Sequence, residues 1–179
     1  MFKHWRQFAY MGRDNKNFRG KKEKPEFDQK LLDLARVTRV VKGGRRFRFR
    51  ATLVIGNRKG KVGVGVGKGA DVSDAIKKAF EDAKKSMIVV KITKGTIAHD
   101  INFKSRSAKI ILKPAVEGRG IIAGGAVRTV VEFAGIKDIV SKSLGTANKL
   151  SVARATVEAL ATLNQARTRK ERITPVTSN

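Results

Sequence analysis

Arg46, Arg48 and Arg50 alternate with Phe47, Phe49 and Ala51. In an extended strand successive side chains point to opposite faces, so this spacing collects three guanidiniums on one face and two phenyl rings on the other. A guanidinium fork bridges phosphate oxygens and stacks on bases. The rings on the reverse face are expected in a core. An ordinary solvated row of arginines is the alternative, but no acid stands nearby to pair with them. Between Leu34 and Ala70 there is no Asp or Glu, against eleven basic residues: Arg36, Arg39, Lys42, Arg45, Arg46, Arg48, Arg50, Arg58, Lys59, Lys61 and Lys68. A folded surface that positive repels itself unless a dense polyanion neutralises it. Nucleic acid fits, because each phosphate bound by Lys or Arg releases a condensed counterion.

Glycine supplies the second kind of chemistry. Gly63, Gly65 and Gly67 share one face of a segment whose other face holds Val62, Val64 and Val66. The bare side admits either a phosphodiester chain or the protein's own helix. Gly65–Ala70 also matches GxGxxA between a strand and a helix, the dinucleotide-binding context. The following strand, 88–92, lacks an acid for a ribose and offers Lys91 and Lys94, and no Walker A loop is present, so nucleotide binding is not expected. A second glycine-rich segment, Glu117–Arg128, also precedes a helix. Such a loop could hold ATP phosphates in a small-molecule kinase, grip an RNA phosphate, pack on a neighbour, or be a tight structural turn.

Catalytic and metal constellations are missing. His4 and His99 have no third ligand at metal spacing. There is no cysteine, hence no thiol nucleophile, disulfide or Cys-based zinc site. No Gly-x-Ser-x-Gly elbow occurs. Asp71 and Asp74 read as helix N-terminal residues, not as an acid–base pair. No cofactor, metal or small-molecule substrate is expected.

Positioning these residues requires a real core, which 41% apolar residues in 179 allow. Forty Lys and Arg against fifteen Asp and Glu give a net charge of +25. No apolar run reaches the ~20 residues of a membrane helix. Residues 1–28 read as a retained basic arm, without the apolar region of a secretory signal. Leu34–Val41 and Arg45–Ile55 read as a hairpin around Gly43-Gly44, with Lys42 making its loop longer than two residues. A strand over Lys61–Gly67 follows the turn at Asn57–Gly60. A helix capped by Asp71 or Ser73 runs to about Met87, with Ile76, Phe80, Ala83 and Met87 as its apolar stripe. Residues 88–92 return to strand. A second unit holds a hairpin, Thr96–Phe103 with Ala108–Leu112, then a loop from Pro114 to Gly125. A helix over Ala126–Ala134 closed by Gly135 follows, then a short strand, Asp138–Val140. A last helix, capped by Asn148 or Ser151, ends near Leu163. Residues 164–179 read as a basic mobile tail.

Three long segments, VVKGGRRFRFRATLVIGN, GKVGVGVGKGADVSDAIKKAFEDAKKSM and KPAVEGRGIIAGGAVRTVVEFAGIKDIVSKSLGTAN, stand in the order of a known family. Over about Phe27 to Leu163 the chain resembles the bacterial-type small-subunit (30S) ribosomal protein five. The resemblance implies an α+β fold of two small α/β sandwich domains. Residues 29–94 would form a unit like a double-stranded-RNA-binding domain (β-β-β-α), and 95–163 a β-α-β-α unit of the type shared with translocation factors and small-molecule kinases. It implies a structural constituent of the small subunit, not an enzyme. Such a protein binds and stabilises small-subunit ribosomal RNA, contacts ribosomal proteins four and eight, lies beside the messenger entry path and contributes to accuracy. A cytoplasmic ribosome is expected in preference to an organellar one.

The RNA-binding candidates are then Arg36, Lys42, Gly43, Gly44, Arg45, Arg46, Arg48, Arg50, Arg58, Lys59, Lys61 and Lys68. By resemblance, Val41–Arg46 is the loop reaching toward the subunit head near the spectinomycin site. Gly118, Arg119, Gly120, Gly124, Gly125 and Arg128 are protein-contact candidates, with Gly120 and Arg128 facing protein four. A kinase-like enzyme and a free-standing double-stranded-RNA-binding protein are the alternatives.

Overall fold

The computed structural model of the chain describes residues 26–171, with side chains through Leu163. The expected arm up to Pro25, with His4, Trp5 and Tyr10, and residues 172–179 of the tail lie outside the described residues.

Two long strands open the fold, β1 (Asp28–Val41) and β2 (Gly44–Gly56). Their register pairs Val41 with Gly44, so the turn is the two residues Lys42-Gly43, shorter than the sequence suggested. Gly44 takes φ +132°, a conformation that suits only glycine, and this tightens the reversal. A bulge between Leu31 and Asp33 sets Leu32 against the main core. β3 (Lys61–Gly69) pairs antiparallel with β2. β4 is only Ile88–Val89, because the expected strand 88–92 pairs with β3 at Lys61 and Val62 alone.

α1 (Val72–Lys85) lies on this first sheet. Asp71 is its N-cap residue, with no side-chain bond to the helix. The expected stripe packs inward, with Ala83 buried and Ile76, Phe80 and Met87 half-buried, but it omitted Ala75 and Ala79, which with Ala83 form the fully buried line. The strand dictates this. A methyl group added at Gly65 would stand 2.2 Å from the Ala79 carbonyl oxygen, and one at Gly67 2.2 Å from that of Ala75. Bare glycine against alanine lets helix and strand backbones touch, so the chain's own helix fills the side that a phosphodiester might have used. Helix side chains also close the outer edge of β3, where Ser86 Oγ donates to the Val64 carbonyl (2.8 Å) and Val66 N–H donates to Asp82 Oδ2 (2.9 Å).

The second sheet has the order β5-β6-β8-β7. β5 (Ile101–Ser105) and β6 (Ala108–Pro114) form a hairpin that starts later than expected and leaves His99 in the loop before it. β7 (Ile121–Ile122), inside the glycine-rich loop, pairs parallel with β8 (Ile139–Leu144), whereas the sequence suggested no strand there. α2 (Gly125–Ala134) ends on Gly135 at φ +93°. α3 (Lys149–Glu171) starts where Asn148 Oδ1 accepts the Leu150 N–H, and it continues past Leu163 into the segment expected to be mobile.

One core joins the two units. Val54, Val62 and Val64 on the far side of the first sheet pack with α2, α3 and the inner side chains Ile101, Ile110 and Leu112 of the second sheet. The layers therefore run α1, first sheet, α2 with α3, second sheet. Full burial of each such aliphatic side chain contributes about 1.5–3 kcal/mol. Phe27, placed by the sequence reading in the arm, belongs to the core beneath α1.

Candidate nucleic-acid interface

Besides β3, α1 covers β2 only along Ala51, Leu53 and Ile55, with Phe49 at the edge. From there to the turn no helix among the described residues lies beneath the β1–β2 ribbon, and every residue from Lys42 to Arg48 is exposed. The overhang follows from length: the two strands hold 14 and 13 residues, while β3 offers nine.

The register sorts its cations onto two faces. Arg46 stands opposite Arg39, Arg48 opposite Val37, and Arg50 between Ala35 and Lys68. Arg39, Arg46, Arg48, Arg50 and Lys68 thus share one face. Like charges directly opposite on a sheet repel. Among the described residues none of the five forms an ion pair. Arg39 was missing from the candidate set. A two-residue turn would have placed it beside Arg46, and the assumption of a longer loop hid that.

The other face departs from the sequence reading. Phe49 is half-buried against the core, but Phe47 lies beyond the end of α1 and is 45% exposed. Arg36, paired across from Phe49, places its guanidinium 3.7 Å from the Phe47 ring centroid. Arg36 therefore belongs to an aromatic and cationic face, apart from the arginine row. Val40, 73% exposed, extends that face. Lys42 and Gly43 form the tip, and nothing lies within 4 Å of a methyl group added at Gly43.

Three candidates sit elsewhere. Arg58 and Lys59 belong to the turn at the opposite end of β2, and Lys61 opens β3 just after it. That turn is fastened internally: Asn57 Oδ1 accepts from the N–H groups of Lys59 (2.8 Å) and Lys61 (3.0 Å). Arg58 N–H donates to the Phe133 carbonyl at 3.0 Å. The Arg58 side chain meets Asp28 at 3.1 Å and lies 5.8 Å from the Phe133 ring centroid. Its surroundings are the junction between the first sheet and α2.

The six protein-contact candidates divide as well. Gly118 and Gly120, at φ +86° and +75°, line a small cleft with Lys94, Lys137 and Asp138. The buried carboxylate of Asp138 fixes that loop by accepting the Gly120 N–H at 2.7 Å. Gly124, Gly125 and Arg128 border a different cleft of about 760 Å³ between β1, α2 and the start of α3. Arg119 is exposed and borders neither of these clefts. Gly124 and Gly125 have open space where a side chain would be, and neither takes a positive φ.

Among the described residues no group of His, Asp and Glu is placed to hold a metal ion, and no helix is long and apolar enough to cross a membrane.

Comparison with known proteins agrees along nearly the whole folded region. Residues 27–91 match the family described as ribosomal protein S5, N-terminal domain, and residues 103–172 match ribosomal protein S5, C-terminal domain. The proteins named small ribosomal subunit protein uS5 from Campylobacter jejuni strains 81-176 and RM1221 are each 55% identical over 143 residues. Those alignments cover 80% of this chain and 97% of each relative.

Proposed function

The chain belongs to the ribosomal protein S5 family, and from that premise we propose that it serves the small ribosomal subunit as a clamp on folded RNA. It is a structural ribosomal protein and not an enzyme. No bond is made or broken. The β1–β2 overhang lays Arg39, Arg46 and Arg48 along ribosomal RNA phosphates, with Arg50 and Lys68 on the same face at its base, while Lys42-Gly43 leads the tip. Shape and 2′-hydroxyl contacts dominate over base reading, because the deep groove of A-form RNA hides base edges. The observation that carries this reading is a row of cations that, among the described residues, has no ion-pair partner and stands on a ribbon that no other described element covers.

The finer placement is also part of the proposal. The tip reaches toward the subunit head near the spectinomycin site, and the body lies beside the messenger entry path in a cytoplasmic ribosome. Ribosomal proteins four and eight are the neighbours, with Gly120 and Arg128 facing protein four and Gly124 and Gly125 bordering the cleft beside Arg128. The open space over Gly124 and Gly125 supports a partner backbone approaching there. That contact opens when the subunit closes on a correct codon, so weakening it favours closure and raises misreading. Ribosomes carrying Arg128→Ala should misread more often in a reporter assay, and unchanged error rates would remove the contact from the accuracy mechanism.

Sedimentation tests the reading as a whole. The chain should travel with small subunits through a sucrose gradient in high salt. A free-standing double-stranded-RNA-binding protein would stay near the top.

A further inference from the structure

The second sheet is covered on one face by α2 and α3, and among the described residues no further element packs on its other face. Alternation along its strands directs Lys104 of β5, Lys109 and Ile111 of β6, and Lys142 of β8 to that open side, while Ile101, Ala108, Ile110 and Leu112 are buried on the inner one. We propose that this open face is a second contact for RNA phosphates, centred on Lys104, Lys109 and Lys142. The inference rests on the reading of the chain as an RNA clamp, and extends it to two RNA segments held on different sides of the protein.

The register carries the argument. Lys104 stands directly opposite Lys109, and the next outward row pairs Ile111 with Lys142. Cross-strand partners of this kind have Cβ atoms about 4.5–5.5 Å apart, where like charges destabilise the pair unless an anion lies over them. The nearby acid, Asp100, is engaged by Lys113 at 3.9 Å. Among the described residues Lys104, Lys109 and Lys142 form no ion pair. The chemistry matches the β1–β2 overhang, where Arg39 faces Arg46, but it occurs on a separate wall of the layered stack.

The composition favours RNA over a protein partner. Cores of protein interfaces are depleted of lysine, and here lysines interrupt the apolar residues Ile111 and Leu144. Lysine acts on a phosphate as a compact point charge and needs no fixed fork geometry, which suits contact with a backbone regardless of sequence.

The test uses the full chain and deproteinised small-subunit ribosomal RNA, with affinity measured across a salt series. Lys104→Gln, Lys109→Gln and Lys142→Gln together should reduce the slope of log affinity against log salt by about two to three units. That loss should add to the loss caused by Arg46→Ala, Arg48→Ala and Arg50→Ala. If the arginine variant shifts the slope and the lysine variant does not, the inference is overturned while the clamp reading stands. If neither shifts it, both fail. Normal RNA affinity with reduced entry into particles would assign the face to a protein and also overturn the inference. The wild-type chain gives a second readout free of folding effects. Acetylation of the three lysines should slow several-fold when RNA is bound, and unchanged rates would contradict the proposal.

Discussion

The two glycine-rich regions look alike as text and differ in what surrounds them. At Gly63, Gly65, Gly67 and Gly69 every added methyl group would strike α1, with backbone atoms of Ala75, Ala79 or Ala83 among the closest. At Gly118, Gly120, Gly124 and Gly125 an added methyl group would meet nothing within 4 Å. The first set is explained inside the fold. In the second, Gly118 and Gly120 are required by their positive φ, while Gly124 and Gly125 have no internal requirement. Glycine with an internal reason marks packing, and the two without one are where the proposed partner contact is to be tested.

Substitutions can break that contrast. Gly65→Ala should produce the largest effect. Its Cβ would enter space held by helix backbone, which cannot swing aside as a side chain can, and the expected destabilisation is about 3 kcal/mol or more. Thermal melting of the purified chain would read this, and a near-normal melt would mean that α1 can slide. Arg58→Ala should come next in size. Its ion pair with Asp28 is more than half exposed, so the loss should stay below about 1 kcal/mol in a melt, and RNA affinity should hold. A fall in affinity with little change in stability would return Arg58 to the RNA-contact set. Gly125→Ala should have the smallest effect on the free chain. The site is the first residue of α2, in open space and outside the helix interior, so stability should change by no more than about 0.5 kcal/mol. Entry of this variant into small subunits should nonetheless weaken if a partner backbone rests there. Unimpaired assembly would show the open space to be incidental.

Much of this was readable from residue order, because the signals are local. Alternation alone gave the arginine row, Gly135 marked where α2 ends, and α3 begins at Asn148, one of the two cap candidates. What could not be read depends on contacts distant in sequence. The fully buried line of α1 takes in Ala75 and Ala79, which the expected stripe omitted, because the partner strand is bare glycine. Phe47 missed the core because β1 and β2 outrun α1, a difference of lengths that periodicity does not express. β7 was invisible because two residues, Ile121 and Ile122, have no pattern until β8 stands beside them. The single core through Val54, Val62 and Val64 required knowing that α2 and α3 cover the far side of the first sheet. At the candidate site, the cations near the hairpin were apparent from charge. Separating Arg58, Lys59 and Lys61 from them required the length of β2.

The salt dependence of binding to small-subunit ribosomal RNA tests the central claim most directly. Arg46→Ala, Arg48→Ala and Arg50→Ala together should make the slope shallower by about two to three units, because each guanidinium releases roughly one condensed counterion from a phosphate. The melting temperature should hold, since Arg46 and Arg48 are exposed and Arg50 is only half-buried. An unchanged slope in a folded variant would contradict the account and take this face of the ribbon out of the RNA interface.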